Sequence, residues 1–154
     1  MQPDIEDFIR EIKNFGYSVK LDTNGTFPDK LKRLVDENLV DYVAMDIKNS
    51  PEKYSLTAGV SELDFSKISN SVEFLLSNSV DYEFRTTVVK ELHSKEDFVS
   101  IGEWIKGAKR YFIQSFIDSG DILAGAFSAY NKSELEEIEG LMQNFVKETQ
   151  IRGV

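Results

Sequence analysis

Apolar residues recur along this chain with two alternating periods. Ile5, Phe8, Ile9, Ile12 and Phe15 follow one another at three- and four-residue steps, so they share one face of a helix. Pro3 suits its first turn, and Gly16 suits the left-handed stop after its last. A short β-type run, Tyr17 to Leu21, follows and ends in Asp22-Thr23-Asn24-Gly25, residues that favour a turn. Thr26 as cap and Pro28 in the first turn open a second helix, with Leu31, Leu34 and Val35 as its stripe. Val40 to Ile47 reads as a buried strand with Asp46 and Lys48 at its exit. The unit then repeats. A helix over 66–78 buries Ile68, Val72, Leu75 and Leu76, and a strand over 82–89 follows. Ser94, with Asp97 three residues on, makes a box-like start for a helix whose apolar face is Phe98, Ile101, Trp104 and Ile105. A strand over 110–116 comes next. Residues 117–130, with Gly120, Gly125 and several small side chains, break the rhythm and read as a loop. The last helix is expected from Ser133, with Glu136 at the box position, and a short strand over 150–154 closes the chain.

Strands that alternate with amphipathic helices predict an α/β fold built on a parallel sheet with right-handed crossovers. An insertion is expected over 51–63, where the rhythm leaves room to spare. In such folds chemistry collects where strands end, at the carboxyl edge of the sheet. Asp22, Thr23, Asp46, Lys48 and Gln114 fall there, and Arg85 lies inside its strand beside Thr86 and Thr87. Each has a purely structural explanation. Asp22 can serve the turn by accepting from nearby backbone N–H groups. Asp46 can pair with Lys48, two residues on, although an exposed pair contributes only about 0–1 kcal/mol. An inward-facing pair must instead be satisfied by partners or a ligand. Arg85 either reaches solvent along its stem or binds an anion. His93, just before a helix cap, fits a packing role better than a catalytic one. Gly25 has no second glycine at the spacing of a phosphate loop.

Composition narrows the function. A length of 154 residues fits one domain with a substantial core. The chain is 41% hydrophobic and 12% aromatic, which argues for a folded protein. No apolar run approaches the roughly 18 residues of a membrane span, and the start lacks signal-peptide character, so a cytoplasmic location is expected. The formal charge, 18 − 27 = −9, disfavours nucleic-acid binding. The absence of cysteine excludes disulfides, thiolate catalysis and cysteine-held clusters on these residues. With His93 as the only histidine, a multi-histidine zinc site is excluded too, whereas carboxylate sites for hard cations are not.

Three segments, Val19-Lys20-Leu21-Asp22-Thr23-Asn24-Gly25, Asp41 to Lys48 (with Met45-Asp46-Ile47-Lys48), and Tyr82 to Val89, resemble successive strands of the radical S-adenosylmethionine enzymes that activate glycyl-radical enzymes. The terminal Ile151-Arg152-Gly153-Val154 shares that likeness, which spans nearly the whole chain. Among these activases, those of anaerobic ribonucleoside-triphosphate reductase, of the pyruvate-formate-lyase-activase type, are the nearest in appearance. The resemblance implies a partial six-stranded parallel βα barrel, of which this chain holds about four strands plus a C-terminal helix and a short strand. It implies a 4Fe–4S cluster, held by a Cys-x3-Cys-x2-Cys loop, whose open iron takes S-adenosylmethionine. One electron then yields methionine and a 5′-deoxyadenosyl radical, which takes a hydrogen atom from a backbone glycine of the partner enzyme. Neither the cysteine loop nor the family's Gly-Gly-Glu-Pro segment occurs here.

By the same resemblance, Asp22 and Thr23 stand near a monovalent cation and the cofactor carboxylate. Asp46 and Lys48 contact ribose and carboxylate groups, Arg85 faces the cofactor and the glycine loop, and Gln114 reaches the adenosine pocket. The expected role is the C-terminal portion of an activase, inactive alone for want of cluster ligands. A non-catalytic S-adenosylmethionine- or protein-binding regulatory module is the alternative, and an upstream gene start a third. An edge exposed at the Tyr17–Leu21 strand leads to an expectation of self-association or of a missing N-terminal partner segment.

Overall fold

The computed structural model describes residues 5–117 and 127–153. The element order is α1 (Ile5–Asn14), β1 (Lys20–Thr23), α2 (Pro28–Asp36), β2 (Tyr42–Asp46), a 3-10 turn (Pro51–Lys53), α3 (Tyr54–Ala58), α4 (Phe65–Leu76), β3 (Asp81–Val88), α5 (Lys95–Trp104), β4 (Arg110–Ser115), α6 (Lys132–Met142) and β5 (Glu148–Arg152). The five strands form one open sheet in the order β1-β2-β3-β4-β5, with parallel pairing. The α/β alternation read from the sequence is therefore present. The closing strand is a full member of the sheet, pairing with β4 from Arg110↔Glu148 to Gln114↔Arg152. The residues group into two compact units.

The first unit holds residues up to Asp46 together with Asp64–Glu83. Its strands pair from Lys20↔Tyr42 to Thr23↔Met45. Leu31, Leu34 and Val35 of α2, and Ile68, Val72 and Leu75 of α4, are buried as their spacing predicts. Two local readings are corrected. The strand after α1 starts at Lys20, not Tyr17, because the N–H groups of Phe15, Gly16 and Tyr17 still bond to carbonyls of α1. Gly16, at φ +84, makes that wrap, as a left-handed helix stop should. Thr26 does not cap α2. Phe27 occupies the cap position, while the Thr26 hydroxyl donates to Asn24 Oδ1 at 2.8 Å. The α1 stripe also divides: Ile9 is buried, but Phe8 is 62% and Phe15 78% exposed.

Gly25 fixes the turn after β1. Its φ is +77, and a Cβ there would lie 2.2 Å from Met45 Cε. Its carbonyl accepts from the buried Ser71 hydroxyl at 2.8 Å. Gly25→Ala should destabilise the protein by about 1–2 kcal/mol, the usual cost of a left-handed non-glycine residue, since Met45 can swing aside. Chemical denaturation would measure it; an unchanged midpoint would contradict this reading.

The second unit holds Ile47–Leu63 and Phe84–Val154. Phe84, Val88, Phe98, Ile101, Tyr111, Ile113, Leu135, Ile138 and Met142 form its core. The insertion read over 51–63 folds into the 3-10 turn and α3, which ends at Gly59 with φ +67. The last helix begins earlier than expected. Asn131 caps it, accepting from Glu134 N–H at 3.0 Å, while Glu134 accepts from Asn131 N–H at 2.8 Å. Asparagine is as good a cap as serine, and Glu134 stands at the same box spacing from it as Glu136 does from Ser133. Of the segment read as a loop, Ile117 and residues 127–130 are irregular, and 118–126 lie outside the described residues, as do Pro3 and Val154.

Candidate functional site

In the first unit, strand alternation sorts the polar residues. Partners in register share a side, so Lys20, Asp22, Tyr42 and Ala44 face one way and Leu21, Thr23, Val43 and Met45 the other. Asp46, two residues beyond Ala44, joins Asp22 on the polar side, and each is the last or next-to-last residue of its strand. Asp22 is exposed and Asp46 half-buried. Thr23 is not with them. It lies on the opposite side, and its Oγ1 accepts the Gly25 N–H at 3.1 Å, so it serves the turn. Toward the strand starts lies a residue that sequence reasoning missed. Glu83 is buried, accepts from Tyr42 Oη at 2.9 Å and pairs with Lys20 Nζ at 3.4 Å. An acid at a strand position between Tyr82 and Phe84 was the available signal. A buried carboxylate must be matched by donors, and here two distant strands supply them.

In the second unit, a buried polar network grips the chain that carries Lys48. Ile47 N–H donates to the Arg85 carbonyl at 2.8 Å, and the Thr86 hydroxyl donates to the Ile47 carbonyl at 2.8 Å. Tyr111 Oη donates to Thr86 Oγ1 at 2.8 Å. Burial raises the Tyr111 phenol far above its ordinary pKa, only partly offset by Thr86, so it remains a donor. His93 Nε2 lies 2.9 Å from the Lys48 carbonyl. A carbonyl only accepts, so Nε2 carries the hydrogen, and Nδ1 can accept the Val89 N–H at 3.3 Å. Asn49, fully buried, donates to the Leu92 carbonyl and to Thr57 Oγ1, both at 2.8 Å, and accepts the Ser50 N–H at 2.7 Å. The backbone on both sides of Lys48 is thus held, while its side chain is only half-buried. His93 is a packing residue, stacked on Phe98 with ring centres 5.9 Å apart.

Arg85 and Gln114 also share a side. Arg85 is in register with Phe112, and Thr87 with Gln114, whose Oε1 accepts from the Thr87 hydroxyl at 3.5 Å. Gln114 is in register with Arg152, whose guanidinium carbon lies 3.3 Å from the centre of the Phe112 ring. The residues read from the sequence therefore fall into two sets. Asp22 and Asp46 lie together in the first unit, Arg85 and Gln114 together in the second, and Lys48 stands on the clamped loop of the second. Among the described residues no group of three or more His, Asp or Glu is placed to hold a metal ion. None of their helices is long and apolar enough to cross a membrane.

No family model matches the sequence. A curated protein of Methanocaldococcus jannaschii, named as a glycyl-radical enzyme activating enzyme, is 30% identical over 154 residues, covering 96% of this chain. The chain is similar to the activases of glycyl-radical enzymes. It spans 64% of the length of that relative. A crystal structure of a domain of pyruvate-formate lyase-activating enzyme from Bacteroides vulgatus superposes with a TM-score of 0.77, at 9% identity, covering 97% of this chain and 89% of that one. At that identity the likeness concerns the fold alone, an open five-stranded parallel α/β sheet. The likeness read from the strand segments is thereby supported by both sequence and architecture.

Proposed function

We propose that this chain supplies cofactor-binding residues of a radical S-adenosylmethionine activase acting on a glycyl-radical enzyme of the anaerobic ribonucleotide reductase or lyase kind. The observation that carries this reading is the placement of polar side chains at strand ends of a parallel sheet, on the segments that carry the likeness. Asp22 and Asp46 project from one side of the β1–β2 pair. Carboxylates so placed suit ribose hydroxyls and an ammonium or monovalent cation. Lys48, on its clamped loop, and Arg85 suit a carboxylate, and Gln114 offers an amide to an adenine edge. Thr23 contributes through the turn it braces. When bound, the cofactor supplies the group that abstracts hydrogen. The protein's residues here bind and orient it. These 154 residues contain no cysteine, so a cysteine-held cluster has no ligand on them, and no electron-transfer step is assigned to them.

Titration calorimetry with S-adenosylmethionine tests the proposal. The chain should bind, and Asp22→Asn and Asp46→Asn should each weaken binding by about tenfold, or about 1.4 kcal/mol. The absence of heat at millimolar ligand would refute it.

A further inference from the structure

The proposed function uses Arg85 and Gln114 of the second unit's polar face and gives no task to β5. The register orders this face in rows. Arg85 of β3 lies beside Phe112 of β4, which lies beside Gln150 of β5. One pleat further along, Thr87, Gln114 and Arg152 form the next row. Arg152 lies over the Phe112 ring at 3.3 Å, and Phe112 is only 5% exposed, so the guanidinium covers the ring. A guanidinium over an aromatic ring keeps its charge and its planar fork of N–H donors. That fork matches the two oxygens of a carboxylate.

The charge of the face points the same way. These two rows contain two arginines, one aromatic ring and three neutral polar side chains, and no acid. In a chain of formal charge −9 this is a local reversal of sign. The acid of β5, Glu148, stands one row earlier, where it pairs with Arg110 at 3.7 Å and accepts from Gln150 Nε2 at 2.7 Å.

We infer that Arg152, stacked on Phe112, acts with Arg85 as a carboxylate-binding pair on this face. The inference deepens the proposed function, and rests on it only for the first of two sources of that carboxylate. One is the amino-acid end of S-adenosylmethionine; the other is an acidic side chain of a peptide segment of the enzyme to be activated.

The test uses the isotopically labelled chain and the Nε–H resonances of Arg85 and Arg152, assigned with Arg85→Lys and Arg152→Lys. The probes are S-adenosylmethionine, L-methionine, its decarboxylated analogue 3-(methylthio)propylamine, and the blocked peptide Gly-Glu-Gly. Both arginine signals should move with at least one carboxylate-bearing probe and stay still with the amine. Arg152→Gln should weaken that probe's binding by about tenfold or more, and Arg152→Lys, which keeps the charge without the fork, should fall between. Signals that no carboxylate probe moves at millimolar concentration would overturn the inference. So would S-adenosylmethionine binding, as the responding probe, unaffected by both Arg152 variants, which leaves the proposed function standing. A response to the peptide alone would support the carboxylate pair while removing the S-adenosylmethionine reading.

Discussion

Replacing Asn49 with leucine should lower the stability of the protein by about 3–4 kcal/mol, the largest single-residue effect expected from this fold. The residue is fully buried and satisfies three groups at once, the Leu92 carbonyl, the Thr57 hydroxyl and the Ser50 N–H. Leucine keeps the branch at Cγ but is bulkier, so the loss would come chiefly from polar groups left without partners, with some overpacking added. Each such buried group costs about 1–3 kcal/mol, and Thr57, only half-buried, recovers part of its share from water. The effect should extend beyond stability. Asn49 follows Lys48, and the Lys48 carbonyl is bonded to His93. Amide hydrogen exchange should therefore accelerate selectively over residues 47–50 and 89–93 before global unfolding. Denaturant titration with exchange mass spectrometry would check both. A variant as stable and as protected as the parent would show that the network is dispensable.

Asp97→Ala should cost about 2–3 kcal/mol near neutral pH, and the cost should shrink in acid. Asp97 is 5% exposed at the start of α5. It accepts from the Ser94 N–H at 2.8 Å and the Ser94 hydroxyl at 3.0 Å, and it pairs with Lys53 Nζ at 2.8 Å. Burial works against its charge, but Lys53 and Ser94 together outweigh it, and the carboxyl is held below its ordinary value of 3.8. The sign follows. The folded state binds fewer protons than the unfolded chain between the lowered pKa and 3.8, so stability rises with pH across that interval. The contribution is complete above about pH 4 and disappears as pH falls through the folded-state value. Parent and variant should therefore converge as the pH drops below 4. A gap that stays constant down to acid unfolding would contradict the charged role of Asp97.

What the sequence disclosed and what it hid divide by the range of the interactions. The stripes of α2, α4 and α5, and the cap at Ser94, depend on residues within a few positions of one another. Their spacing states them directly. The alternation of helix and strand gave the parallel sheet for the same reason. Local competition defeated finer points. Phe27 rather than Thr26 precedes α2 because the Thr26 hydroxyl is drawn to Asn24 in the turn. The exposure of Phe8 and Phe15 could not be read from periodicity, which reports that residues share a face but not what covers it.

The candidate site was legible only in part. Asp22, Thr23, Asp46, Lys48 and Gln114 could be placed at the carboxyl edge because strand ends are local properties. That Asp22 and Asp46 share a side, and that Thr23 lies on the other, needed the register that pairs β1 with β2. Glu83, His93, Asn49 and Arg152 owe their significance to partners 41, 45, 43 and 40 residues away, respectively Tyr42, Lys48, Leu92 and Phe112. Such partners are set by tertiary pairing, and no window along the chain contains both members.

Whether the polar residues of the candidate site receive a sulfonium nucleoside is tested most directly by a residue-by-residue map of chemical shifts on titration with S-adenosylmethionine. Perturbations should concentrate at residues 22–23, 46–48, 85–87 and 114, with the outer faces of α2 and α4 silent. Perturbations confined to those helix faces, or none at saturating ligand, would contradict the proposed function.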